Sequence, residues 1–281
     1  MANGKAVLIT GCSSGIGEAT ACHLAAKGLS VYATARRPET LTGLEAAGCK
    51  TLALDVTSEE SMAAAVAEVE RAEGAVWALV NNAGYSQSGA VESVPMESVR
   101  RQFETNVFGL VRMCQLVLPG MRQSGSGRIV NISSMGGKLT FPGGGFYHGT
   151  KHAIEAISDA LRFEVHGFGV DVVVIEPGLI TTRFGETAVG SMEPAGDGPY
   201  ADFNATVAEA TGGIYEGPAV RLGAGPEAVA HKIETALSAR RPKTRYRVTA
   251  SASLVLSLRR LMTDRMWDRF VGTQFPRPGA S

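Results

Sequence analysis

Residues 5 to 17 read Lys5-Ala6-Val7-Leu8-Ile9-Thr10-Gly11-Cys12-Ser13-Ser14-Gly15-Ile16-Gly17. The first six are the short apolar run of a buried strand, and they pass directly into a glycine-rich loop. A periodic segment from Glu18 to Lys27 follows and stops at Gly28, and a second strand begins at Ser30. Strand, glycine loop, helix and strand make one βαβ unit. Glycines admit the backbone close to a diphosphate, while the next helix N-terminus offers unpaired N–H groups and positive dipole to an anion. Gly11, Ser13, Ser14, Gly15, Ile16 and Gly17 are therefore candidate dinucleotide-binding residues.

The same alternation runs on. Strands are predicted near residues 5–10, 30–35, 50–55, 75–82, 127–133, 169–176 and 245–250, with helices over 59–73, 96–121 and 147–166 between them. Alternating β and α argue for one α/β domain spanning 1–281, a Rossmann-like doubly wound parallel sheet with helices on both faces and right-handed crossovers. Ligand is expected beyond the C-terminal strand ends. Residues 185–226 break the rhythm, being rich in Gly, Pro and small residues with Met192, Tyr200, Phe203 and Tyr215 interspersed.

A second constellation carries chemistry. Ser134 stands thirteen residues before Tyr147, and Lys151 four residues after it. If Tyr147 opens a helix, Lys151 lies one turn on and shares its face. A nearby ammonium favours the ionised phenol, so a tyrosine with a free pKa of about 10 can exchange protons near neutrality. His148 and His152 are also four apart, but no third ligand stands at usable spacing and Lys151 beside them opposes a dication, so no metal is expected there.

Taken in order, Thr10-Gly11-x-x-x-Gly15-Ile16-Gly17, Asn81-Asn82-Ala83-Gly84, Asn106, Ser134, Tyr147-x-x-x-Lys151 and Pro177-Gly178-x-x-x-Thr182 resemble the short-chain dehydrogenase/reductase family in its classical form. The resemblance covers roughly residues 5 to 185, and the local texture is most similar to the branch of 17β-hydroxysteroid and retinol dehydrogenases. It implies a catalytic set of Asn106, Ser134, Tyr147 and Lys151. It also implies that Asp55 and Val56 meet the adenine, that Asn82, Ala83 and Gly84 pack near the adenosine, and that Pro177, Gly178, Ile180 and Thr182 meet the nicotinamide side. Asn106 is expected to distort its helix and to hold a water linking Lys151 to solvent. The family further implies a substrate-binding insertion at 185–226 and a homo-dimer or homo-tetramer built through 96–121 and 147–166.

Cofactor choice turns on the end of the second strand. Ser30-Val31-Tyr32-Ala33-Thr34-Ala35 is followed by Arg36-Arg37, with Glu39 as the next acid. A 2′-phosphate needs a cation and no repelling carboxylate, so NADP(H) is expected over NAD(H), with Arg36 and then Ser13 as its partners. The residues nearest the catalytic set, Tyr85, Met135, Phe141, Phe146, Leu179 and Phe184, are mostly apolar, although Lys138 and Arg183 stand close in sequence. The expected partner is thus a small lipophilic ketone, aldehyde or alcohol, steroid- or retinoid-like. A cofactor-binding regulator of the same fold would not need Ser134 or Tyr147, and a sugar-nucleotide epimerase would space its glycines differently.

Composition agrees. A 44% hydrophobic, 19% charged chain of 281 residues is globular, and zero net charge gives no attraction to nucleic acid. Cys12, Cys22, Cys49 and Cys114 follow no metal or disulfide spacing, and no apolar run precedes the first strand, so a cytoplasmic location is expected. Charge is uneven: from residue 240 onward ten cations face two acids, a local +8. Leu254, Leu258, Leu261, Met262, Met266 and Phe270 recur there at helical spacing. One amphipathic basic helix is expected over this tail, packing over the pocket or against a second subunit in preference to a membrane surface.

Overall fold

The computed structural model describes residues 5–182, 184–192, 198–213 and 223–279. Seven strands, β1 (Ala6–Ile9), β2 (Ser30–Ala35), β3 (Lys50–Ala53), β4 (Ala78–Asn81), β5 (Gly127–Ile132), β6 (Val170–Glu176) and β7 (Arg245–Arg247), form one sheet in the order β3-β2-β1-β4-β5-β6-β7. Every neighbouring pair is parallel. The Rossmann-like expectation is borne out.

Strand alternation divides the core. Val7 and Ile9 point to one face, where α1 (Gly15–Ala26), α2 (Thr42–Ala46) and α9 (Pro226–Ser238) contribute Leu24, Leu44 and Ile233. Ala6 and Leu8 point to the other, against Met62, Met113 and Ile154 of α3 (Glu59–Glu73), α5 (Gly109–Ser124) and α6 (Gly145–Val165). Being covered on both faces, β1 reads as a continuous apolar run.

The helix expected over 96–121 is divided. An α4 (Met96–Phe103) runs into a π-helical turn, Glu104–Phe108, before α5 carries on to Ser124 and ends at Gly125 in the left-handed region. Within the 185–226 stretch stand α7 (Phe184–Gly190) and α8 (Ala201–Gly213), while Tyr215 lies outside the described residues.

The tail departs from expectation in three ways. β7 stops at Arg247, because Thr249 Oγ1 accepts from Ala252 N–H at 3.1 Å and starts α10 (Ala250–Leu261). The single helix is two, since Met262 is extended and Thr263 caps α11 (Asp264–Val271). The inward stripe is also largely out of phase with the one read from sequence: Leu256, Trp267 and Val271 pack on Leu139, joined by Met262 of the expected residues, whereas Leu254, Leu258, Leu261, Met266 and Phe270 are exposed. Part of the positive charge is used internally, as Arg245 pairs with Glu155 at 3.0 Å and with Glu176 at 3.4 Å. No helix among the described residues is long and apolar enough to cross a membrane.

Candidate active site

Strand order reverses between β1 and β4, so the loops that follow these strands part and leave a crevice between them. A cleft of about 790 Å³ opens there. From the first loop, Gly11, Ser13, Ser14, Gly15 and Ile16 line it. Gly11 and Gly15 have φ of +72° and +63°, where a side chain would be strained. α1 begins directly after, and Ser14 at its N-cap makes no side-chain capping bond, so the first-turn N–H groups are left for a ligand.

Gly17 does not line the cleft; it supports the loop from beneath. A Cβ there would overlap the Gly11 carbonyl oxygen and fall 2.6 Å from Asn82 Nδ2. Asn82 braces the loop, its Nδ2 donating to the carbonyls of Thr10 and Gly11 at 2.9 Å each. The N–H groups of Asn82 and Ala83 both donate to Thr10 Oγ1 at 3.0 Å. Asn82, Ala83 and Gly84 line the cleft, as do Arg36, Asp55 and Val56. Arg36 is exposed at the end of β2, and the Asp55 carboxylate accepts from Thr57 N–H and Oγ1–H at 2.9 and 2.8 Å.

Ser134, Tyr147, Lys151, Pro177, Gly178, Ile180 and Thr182 line it from the other side. Ser134 follows β5 and caps a single helical turn, its Oγ accepting from Gly136 N–H at 3.0 Å. Tyr147 sits in the first turn of α6, its ring 5.5 Å from that of Phe184. Lys151 is buried one turn later, its Nζ 5.6 Å from the Tyr147 ring centroid and donating to Ile132 O at 2.8 Å. Burial pushes the Lys151 ammonium down from 10.5 to about 8, against the opposing effect of the Glu155 carboxylate.

Asn106 lies behind the cleft, buried in the π-helical turn. Its Nδ2 donates to Tyr85 O at 2.9 Å and to Thr150 Oγ1 at 3.1 Å, and its Oδ1 accepts from Tyr85 N–H at 3.1 Å. Both amide hydrogens are therefore taken by the protein, and Thr150 Oγ1 in turn donates to Tyr147 O at 2.7 Å. The helix distortion expected at this residue is present. Its side chain ties the Tyr85 loop to α6.

His148, set aside above as a metal ligand, has a place in the site. Its ring lines the cleft, and burial pushes its pKa down to about 4, so it is neutral at physiological pH. Its Nδ1 stands 3.2 Å from Gly136 O, which can only accept, so Nδ1 carries the proton. Of the expected apolar lining, Tyr85, Met135, Leu179 and Phe184 are present. Phe141 and Phe146 are not; Phe141 turns toward the tail, its ring 5.5 Å from Trp267. Lys138 is held by Glu155 at 2.9 Å, and Arg183 lies outside the described residues. Thr187 and Arg101 also line the cleft, and no motif marked them.

A doubly wound parallel sheet whose crevice joins a glycine loop to a serine, a tyrosine and a buried lysine defines an NAD(P)-dependent oxidoreductase. The family model of short chain dehydrogenases matches residues 5–191, and the chain belongs to that family. It is 36% identical over 268 residues to the uncharacterized oxidoreductase YbbO of Escherichia coli strain K12, covering 95% of this chain and 94% of that one. It is also 36% identical over 271 residues to an NADPH-dependent 3-dehydrocapnine reductase of Ornithobacterium rhinotracheale, covering 93% and 94%. A crystal structure of a short-chain dehydrogenase from Streptomyces avermitilis superposes with a TM-score of 0.80 at 35% identity, over 96% of this chain and 98% of that one.

Proposed function

We propose that this chain is an NADP(H)-dependent oxidoreductase interconverting a lipophilic ketone or aldehyde, steroid- or retinoid-like, and its alcohol, with Tyr147 as general acid and base. The observation that carries the reading is the buried Lys151 ammonium one helical turn behind Tyr147, in a cleft that Ser134 shares. When bound, the cofactor supplies or removes hydride at the carbonyl carbon. The chain's own residues manage the oxygen. Ser134 Oγ accepts from Gly136 N–H, which leaves its hydrogen to donate to the carbonyl oxygen. Tyr147 gives its phenolic proton to that same oxygen, and oxidation of the alcohol returns it. Lys151 favours the phenolate left behind, and Asn106, through Thr150, steadies the turn that carries Tyr147.

NADP(H) is preferred over NAD(H) in this reading because Arg36 stands exposed on the cleft wall, with the Ser13 hydroxyl as a second donor. The Ornithobacterium relative, itself named NADPH-dependent, supports the same choice. Asp55 and Val56 take the adenine edge, and Pro177, Gly178, Ile180 and Thr182 the nicotinamide side. Tyr85, Met135, Leu179 and Phe184 suit an apolar substrate. We place the enzyme in the cytoplasm as a homo-oligomer. Phe163 on α6, 88% exposed, and Phe108 at the foot of α5, 56% exposed, supply apolar surface to the helices expected to pair.

The experiment is NADPH oxidation by purified protein over a panel of steroid ketones, retinal, aliphatic aldehydes and quinones, with NADH and Tyr147→Phe alongside. Turnover with NADPH that disappears in the variant is expected. Tight NADPH binding without turnover of any compound would favour a cofactor-binding regulator.

A further inference from the structure

Away from the cleft, α1 and α9 bring three metal-ligating side chains to one point. His23 of α1 and His231 and Glu234 of α9 each present one ligand atom, all within 4.8 Å of one another. None of them lines the cleft. We propose that His23, His231 and Glu234 form a site for a divalent first-row transition ion such as zinc, clamping α1 to α9.

His231 and Glu234 are three apart, so they rise from one face of α9. His23 Nε2 lies 2.7 Å from Glu234 Oε2, and His231 Nδ1 lies 3.8 Å from the same oxygen. The two imidazoles meet edge to face, with centroids 4.4 Å apart. Zinc–ligand bonds of about 2.0–2.2 Å in a tetrahedron place ligand atoms roughly 3.4 Å from each other. Side-chain rotation brings the atoms toward that spacing, and His231, whose side chain is 63% exposed, has solvent around it in which to turn.

A plain ion pair accounts for less of the arrangement. Glu234 is already partnered by His23 and by Lys27, whose Nζ is 3.4 Å from Oε1. His231 is too far for a hydrogen bond to that carboxylate, yet its ring abuts the first imidazole. Two imidazoles with one carboxylate form a donor set that suits zinc, nickel or copper, whereas magnesium and calcium require oxygen alone. Lys27 occupies the carboxylate's other oxygen and is half exposed, so it can swing aside. A fourth position is left to water.

The test uses full-length, tag-free chain stripped with chelator, titrated with zinc chloride by calorimetry at pH 7.5 and followed by thermal denaturation. One equivalent is expected to bind and to raise Tm, by linkage with the folded state. His231→Gln and Glu234→Gln should each weaken zinc at least about tenfold and abolish the Tm rise, with NADPH binding unchanged. Absence of binding at 100-fold excess zinc over protein overturns the proposal. So does undiminished binding by both variants, or a cobalt(II) spectrum with a thiolate charge-transfer band, which would place the ion on a cysteine such as Cys22.

Discussion

Lys151 and Tyr147 share one face of α6, with the lysine Nζ buried 5.6 Å from the centre of the tyrosine ring. Nothing about a merely structural lysine requires this, since burial works against its charge. The pair is therefore where the proposed chemistry is most exposed to test. Tyr147→Phe keeps the ring and its contacts with Phe184 and His148 but removes the proton. Reduction by NADPH should fall by about 10²–10⁴-fold, with cofactor binding retained. Stopped-flow or steady-state NADPH oxidation measures it, and a loss below tenfold would assign the acid elsewhere.

The same lysine sets a pH signature. Its pKa is held at about 8, below the ordinary 10.5. Between these values the unfolded lysine still binds a proton that the folded one has released, so stability gains from this group as pH rises. Below about pH 8 both states are protonated, and the folded chain bears the full desolvation cost. Replacing Lys151 with Met should abolish turnover and raise the Tm of the cofactor-free protein at pH 7 by about 2–4 °C or more. The stability gap between wild type and variant should narrow from pH 8 to 10. Denaturant midpoints of both proteins at pH 7, 8, 9 and 10 provide the comparison, and a gap that widens with pH contradicts the assigned shift.

Arg36 offers a clean separation of cofactors. Arg36→Asp exchanges a phosphate donor for a repelling carboxylate that suits a ribose diol. NADPH affinity should drop by about 10–100-fold, as expected for one charge-assisted contact, while NADH changes little. Fluorescence titration with both nucleotides reads the ratio. Equal losses for the two would remove Arg36 from the phosphate site.

Gly17 tests the bracing beneath the glycine loop. Gly17→Ala puts a methyl against the Gly11 carbonyl and 2.6 Å from Asn82 Nδ2, both parts of a bonded unit with no room to yield. Overpacking of this kind costs about 1–3 kcal/mol, and the loop that should receive the diphosphate moves with it. Lower Tm together with weaker NADPH binding is expected, by scanning calorimetry and titration. Gly28→Ala, where a Cβ meets nothing within 4 Å but φ is +79°, is the control that strains backbone without touching the loop.

Much of this molecule was legible in the chain because the deciding features are local. An apolar run that ends in Gly11-x-x-x-Gly15-x-Gly17 can do little but form a strand, a tight anion loop and a helix, and the alternation of strands and helices that follows folds into one parallel sheet. Tyr147 and Lys151 lie one helical turn apart, so their meeting needs no tertiary information. Other features depend on segments that only the fold brings together. Asn106 was marked by motif, but its partners Tyr85 and Thr150 are 21 and 44 residues away. His148 is neutral because the fold buries its ring beside the Gly136 carbonyl, and the tail packs through Leu256, Trp267 and Val271 because those are the residues its two helices turn toward Leu139. His23 meets Glu234 across 211 residues, only because α1 and α9 cover the same face of the sheet. Period and spacing act within an element and were therefore readable from sequence; burial, pKa and convergence arise between elements, where packing alone decides them.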